Sequence, residues 1–305
     1  MDITVVLSQM IQLFLVLGLG YIAAKTKVVN QNFGTQLSKF ILSITIPCMM
    51  IASAATMPDN TDKNEILMMF EFSILFYFIM PFIAYLIVRI IGVKKADRNL
   101  YMYMTIWSNV GFMGFPVIAS IFGENAIFYA TIFNLIFNVS NFTLGITLMS
   151  KEGKGALSLK NFLSPGIVAS LAAVAMVAAN IQLPAVLNNT IKMVGETTTP
   201  LAMIVIGVSL AGISFKSVFT EIRMYPYVLI KQILLPIAAY LLLKNFIANP
   251  YILGIAVIII AMPVATSAVL FANRYDNNVP LATKGVFITT LASVVTIPLI
   301  SYLLL

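Results

Sequence analysis

Histidine is absent, cysteine occurs once, and only 10% of the 305 residues are charged. Without histidine, the usual zinc and haem ligation and imidazole-assisted nucleophiles have no residues to work with, so neither a metal nor a cofactor is expected. The lone Cys48 excludes an intrachain disulfide and reads as a small apolar packing residue. Soluble domains carry about 25% charged residues. This chain falls far short of that, and with 60% hydrophobic residues and a mean hydropathy of +0.99 it belongs in lipid. Sustained strand alternation is also missing. Because a bilayer tolerates only helices or closed barrels, an all-α polytopic membrane protein is expected. No aspartate falls inside an apolar run: Asp2, Asp59, Asp62, Asp97 and Asp276 lie in termini or loops.

What is present is a series of apolar runs near the roughly 20 residues that a helix needs to span a bilayer. Charged and Asn/Pro/Gly clusters delimit ten of them, near 4–24, 36–56, 66–90, 99–122, 125–149, 162–180, 190–213, 224–245, 250–272 and 281–304. The first lacks a basic leader and reads as a span, not a signal peptide. One polar interval in mid-chain, "SKEGKGALSLKN" (150–161), splits the runs five to five. Residues 1–150 then form a first five-helix repeat, 151–161 a cytoplasmic linker and 162–305 a second repeat. Basic residues resist translocation, and all but Lys63, Lys192 and Lys244 collect on one side, opposite the acidic loop "PDNTDKNE" (58–65). Both termini are therefore expected outside, with the basic side in the cytoplasm of a cell membrane. The net charge of +7 reads as an insertion signal, so the expected partner is the lipid bilayer and no nucleic acid is called for.

Five is odd, so the second half inserts upside down relative to the first, the plan of inverted-repeat carriers. "FPVIAS" (115–120) in run 4 has a counterpart in "MPVATS" (262–267) in run 9, and Pro47 in run 2 is answered by Pro200 in run 7 at nearly the same spacing. Run 4 also carries Gly111 and Gly114. Proline removes a backbone donor and glycine eases non-helical dihedrals, so runs 4 and 9 are expected to break, at Pro116 and Pro263. The breaks should meet at mid-membrane and present free peptide N–H groups to an anion. Candidate binding residues around that meeting are Asn109, Gly111, Gly114, Pro116, Pro263, Thr266 and Ser267. Asn134, Asn138 and Asn141 join them, sharing a helical face of run 5 at i, i+4 and i+7. Three charged groups are candidates for coupling: Lys231, about 12 Å deep in run 8 at 1.5 Å per residue, and Glu196 and Glu71 nearer the outer interface. Trp107, Tyr101 and Tyr103 read as interface anchors.

Run 4, "SNVGFMGFPV…FG", resembles the Asn-x-x-x-x-Gly-x-Pro pattern of the auxin efflux carrier family through Asn109, Gly114, Pro116 and Gly123. Run 9, "AMPVATSAVLFANRYD", is similar to the family's proline stretch followed by Phe-Ala-x-x-Tyr, here Pro263, Phe271, Ala272 and Tyr275. "TPLAMIVIGVSL" in run 7 and Pro298 fit as well, so the resemblance covers the chain. It implies a secondary carrier of organic anions in which unwound spans 4 and 9 cross and move against a scaffold of spans 1, 2, 6 and 7, often as a homodimer. The short linker is that of bacterial members. Ser108 stands where plant members have proline, and no second proline follows Pro263 in run 9; both departures point from auxin toward a small mono- or dicarboxylate such as malate or malonate.

The expected function is thus alternating-access movement of a small organic anion, outward under an inside-negative potential. Proton-coupled carboxylate uptake is the alternative, with a channel or lipid-sensing receptor behind it. An intramembrane enzyme is not expected: a serine protease would lack its histidine, an aspartyl protease its Asp pair, and a pump its phosphate loop.

Overall fold

Every apolar run read from the sequence is helical among the residues that the structure, a computed structural model, describes: 3–57, 63–150, 165–212 and 220–304. The linker at 151–161, positions 58–62 of the acidic loop, and Lys216 lie outside them. The described residues contain no strand, only an isolated antiparallel bridge between Ser108 and Val264, and 83% of them are helical. Among the described residues six helices are long and apolar enough to cross a membrane: Asn32–Ala55, Lys63–Ile90, Ala126–Met149, Ala185–Ala211, Met224–Leu243 and Val279–Leu304. Four shorter apolar stretches accompany them, Ile11–Lys25, Val110–Phe122, Pro165–Ala178 and Pro250–Ala261.

Proline is absorbed in a recurrent way. Wide π-turns at Ile41–Thr45, Val110–Gly114 and Ile230–Leu234 each precede a helix whose second residue is proline: Pro47, Pro116 and Pro236. A proline ring clashes with the carbonyl four residues back. Widening the preceding turn moves that carbonyl aside without breaking the helix.

The chain divides into two compact units, each drawing on both sides of the linker. The first comprises Met1–Met69, Val110–Leu135 and Leu163–Ser214, and the second Phe70–Asn109, Ile136–Phe162 and Phe215–Leu305. Inside the first, helices Ile3–Lys25 and Thr198–Ala211 pack backbone to backbone: Gly20 lies against Ile204, and Gly207 against Leu17 and Tyr21. Helix Ile46–Ala55 packs on Pro165–Ala178 and Ala185–Glu196, with Gly195 beside the backbone of Met49. Inside the second, Val279–Leu304 packs on Pro250–Ala261 and Ser267–Arg274.

Candidate functional site

Two helices of the second unit stop in mid-run. Arg98–Ile106 ends at Trp107, whose backbone is extended (φ −100°, ψ 106°), and Pro250–Ala261 ends at Met262, also extended (φ −58°, ψ 147°). The freed stretches lie side by side and antiparallel. The Asn109 N–H donates to the Pro263 carbonyl at 2.7 Å, and the Ala265 N–H donates to the Trp107 carbonyl at 3.0 Å. The bridge pairs Ser108 with Val264, whose N–H turns to Thr289 Oγ1 at 3.1 Å. Thr289 in turn donates to the Gly285 carbonyl, and its own carbonyl accepts from Gln232 Nε2 at 2.9 Å.

This geometry corrects the sequence reading in two ways. Run 4 opens at Trp107–Asn109, upstream of Pro116, because the π-turn at Val110–Gly114 accommodates that proline. Gly111, Gly114 and Pro116 consequently sit on helical backbone in the first unit, while Pro263 does lie in the break. The peptide N–H groups of Asn109, Val264 and Ala265 are also already committed, to a carbonyl, a threonine oxygen and a carbonyl. Two extended segments meeting away from water satisfy each other first.

The ionisable group at the crossing is Lys231, in the π-turn Ile230–Leu234. Lys231 is only 1% exposed, and its Nζ donates to Ser108 Oγ at 2.9 Å and to the Thr105 carbonyl at 3.4 Å. Among the described residues no carboxylate pairs with it. The helices packed on this turn (Met224–Leu229, Leu235–Leu243, Pro250–Ala261 and Val279–Leu304) contain no aspartate or glutamate, nor does Arg98–Ile106, which supplies Thr105. Since Ser108 accepts from the ammonium, its own hydroxyl proton is left to donate elsewhere.

A second cluster buttresses the same place. Tyr103 OH lies 2.7 Å from Asn141 Oδ1 and 2.9 Å from Ser267 Oγ. Its single proton goes to the amide oxygen, which only accepts, so the Ser267 hydroxyl donates to Tyr103. Trp107 Nε1 donates to Ser140 Oγ at 3.1 Å, and the Trp107 ring sits 4.7 Å from that of Tyr103. Trp107, Tyr101 and Tyr103 are buried, so the expectation that they anchor an interface is replaced. The opened backbone needs bulky partners, and these rings lie on the buried faces beside it.

The other sequence candidates divide. Thr266 immediately precedes helix Ser267–Arg274 and makes no side-chain capping bond. Asn134 is buried in the first unit, whereas Asn138 and Asn141 belong to the second, and Asn141 opens the π-turn Asn141–Gly145 that ends the even helical spacing. Glu71 is exposed on Lys63–Ile90. Glu196 belongs to the first unit, 3.8 Å from Lys192, which pairs with Glu124 at 3.0 Å; all three line a cavity of about 170 Å³ with Ser53 and Thr56. Sequence reasoning did not single out Thr105, Thr289 or Gln232. Signals for two of them were available: Tyr101, Thr105 and Ser108 recur at i, i+4 and i+7, and Gln232 is a second polar residue beside Lys231 in an apolar run.

Thr289 is a support that mutation can weigh. Thr289→Val keeps the shape but leaves the buried Val264 N–H without an acceptor, at a cost of about 1–3 kcal/mol. Lower thermal stability and faster hydrogen exchange at the Val264 amide are the expected results.

A polytopic helical chain with two interrupted helices crossing around a buried polar cluster has the architecture of a membrane transporter. The chain belongs to the membrane transport protein family, which includes the auxin efflux carriers: the family model matches residues 5–160 and 155–301. "Uncharacterized transporter YfdV" of Escherichia coli is 21% identical over 98% of each chain. "Uncharacterized transporter MJ1031" of Methanocaldococcus jannaschii is 24% identical over 97% of each. A Rhizobium meliloti protein named "Putative malonate transporter" is 26% identical over 68% of each.

Proposed function

We propose that this transporter is a carrier that moves a small organic anion by alternating access, its carboxylate held at the crossing by Lys231. The observation that carries the reading is the lysine itself, an ammonium donor 1% exposed and 2.9 Å from Ser108 with no carboxylate partner among the described residues. Taking a lone charge out of water is expensive, and an incoming carboxylate supplies the missing counterion. Asn109 and Thr266, with the free Ser108 proton, add donors around it. A dicarboxylate of malonate size is the substrate class we favour, supported by the name of the Rhizobium relative.

The working architecture is ten spans in two inverted repeats, 1–150 and 162–305, with both termini outside the cell membrane and two copies per assembly. Supporting the repeat, six long and four shorter apolar helices correspond to the ten runs, and the two stretches of the family match overlap at the linker. Runs 1, 2, 6 and 7 share a compact unit, together with residues 110–135 of runs 4 and 5. The one-sided lysines and arginines support the orientation, and the resemblance supports the homodimer. An inside-negative potential would drive the anion outward by about 2.3 kcal/mol per charge at 100 mV. Proton-coupled movement is the second reading, favoured by the presence of an ionisable amine at the crossing.

Counterflow of labelled malonate in proteoliposomes, with and without a pH gradient, tests the proposal. Saturable exchange competed by unlabelled malate is the expected result. Single-channel currents, or failure to exchange any member of a mono- and dicarboxylate panel, would remove it.

A further inference from the structure

Of the four π-turns among the described residues, only Asn141–Gly145 is followed by no proline: the helix after it is Ile146–Met149. A widened turn with no proline to absorb needs another source of support. Here it comes from the rings beside the break. Asn141 is buried and accepts from Tyr103 OH at 2.7 Å, and Tyr103 is fully buried as well. Gly145 closes the turn, and a Cβ on it would stand 2.8 Å from Asn141 Oδ1, 3.1 Å from the Tyr103 ring and 3.5 Å from the Trp107 ring. Glycine at that position therefore makes room for the bond. The same phenol receives the Ser267 hydroxyl at 2.9 Å, which completes a closed circuit across the break. The Tyr103 carbonyl accepts from the Trp107 N–H at 3.0 Å, the Trp107 carbonyl accepts from the Ala265 N–H at 3.0 Å, and Ser267 follows two residues on.

We infer that Tyr103 is a positioning residue for the crossing, pinning half-helices Arg98–Ile106 and Ser267–Arg274 in the register that seats Ser108 against Lys231. The inference rests on the reading of the crossing as the anion site. Ser108 directly follows Trp107, so a slip of the Trp107–Ala265 pairing carries the Ser108 hydroxyl off the Lys231 Nζ, which it meets at 2.9 Å. Tyr103 itself points elsewhere. Tyr101, two residues earlier, meets Tyr227 of run 8 with centroids 5.2 Å apart, whereas Tyr103 meets Asn141, Ser267 and the Phe271 ring. Its influence passes through the backbone pairing and not through contact with the guest. At their other ends the same segments are tied again: Asn278 Nδ2 donates to Asp97 Oδ1 at 2.9 Å, and Asn277 Nδ2 to the Met149 carbonyl at 3.1 Å. Water competes for those more exposed bonds, whereas the Tyr103 hydroxyl is sealed from it.

Tyr103→Phe keeps the ring and removes both hydroxyl bonds. In counterflow the malonate concentration giving half-maximal exchange should rise at least fivefold, with the maximal rate within twofold of the parent. Hydrogen exchange at the Asn109 and Ala265 amides should accelerate at least tenfold, and that of helix Thr198–Ala211 should not change. Gly145→Ala displaces Asn141 Oδ1 and deletes no polar group. It should raise the half-saturating concentration too, and the two changes together should do no more than the larger alone. Ser267→Thr, which keeps a hydroxyl, should recover most of the affinity that Ser267→Ala loses; this pair carries the test if Tyr103→Phe yields no folded protein. An unchanged half-saturating concentration in Tyr103→Phe, a lowered melting temperature with both readouts at the parent's values, or equal affinities for Ser267→Thr and Ser267→Ala would each overturn the inference. Accelerated amide exchange in Tyr103→Phe, together with a parent protein that moves no carboxylate, would leave the pin standing and remove the anion reading.

Discussion

Lys231→Met is expected to lose malonate exchange by a factor of about 100 or more and yet to melt no lower than the parent protein. Removing one partner of a buried, desolvated ion contact costs about 3–5 kcal/mol, which at 1.4 kcal/mol per decade corresponds to a loss of binding of about a hundredfold to several thousandfold. Stability follows the opposite arithmetic. Methionine gives up the bonds to Ser108 Oγ and the Thr105 carbonyl, each worth about 1.5–3 kcal/mol with a charged donor. It also removes the desolvation penalty of an unpaired ammonium, several kcal/mol. With no carboxylate to orphan, the second effect matches or outweighs the first. Counterflow and a thermal melt on the same preparation check both halves. Retained exchange would refute the role of the lysine, whereas a collapsed melt would show that it serves the fold. Lys231→Arg keeps the charge but spreads it over a planar fork, so partial exchange is expected from it.

Gly207→Val is the second large effect, and it acts on the fold. A Cβ at this position would be driven onto the Leu17 carbonyl oxygen and the Tyr21 amide nitrogen of helix Ile3–Lys25. These are backbone atoms of a packed helix, which cannot swing aside as a flexible side chain would. The two helices must separate, and close approach through small residues is what drives helix association in lipid. Overpacking costs about 1–3 kcal/mol where neighbours can adjust, and here they cannot. Folded yield by size-exclusion chromatography is expected to fall at least tenfold. Gly18→Ala is the control: it lies on the opposing helix Ile3–Lys25, a Cβ there meets nothing within 4 Å, and it should be neutral or slightly stabilising.

How far the sequence could be read is clear from particular residues. Pro263 does mark a break, because no widened turn precedes it; Pro116 does not, because the turn at Val110–Gly114 absorbs it. A proline reports a missing donor, and whether the helix answers by opening or by widening depends on its neighbours. Lys231 was recognisable as a charge deep in an apolar run, but a lysine at that depth can also reach an interface. Only packing against Thr105 and Ser108, more than 120 residues away in sequence, buries it. Thr289 was harder to see, since threonine in a membrane helix commonly bonds its own preceding turn, and Thr289 does so through Gly285 while also receiving Val264.

Composition and the lengths of the apolar runs determined, without coordinates, that this is an all-helical membrane protein, and the motifs of runs 4 and 9 identified its family. Those properties follow from local quantities: transfer of side chains into lipid and the need of each helix to satisfy its own backbone. Which strand of each break faces the other, which peptide groups are spent on that pairing, and which charge is left beneath it were decided by tertiary structure. Hydrogen bonds such as Asn109 to Pro263 and Lys231 to Ser108 join residues more than a hundred positions apart, and no local pattern encodes a distance of that kind.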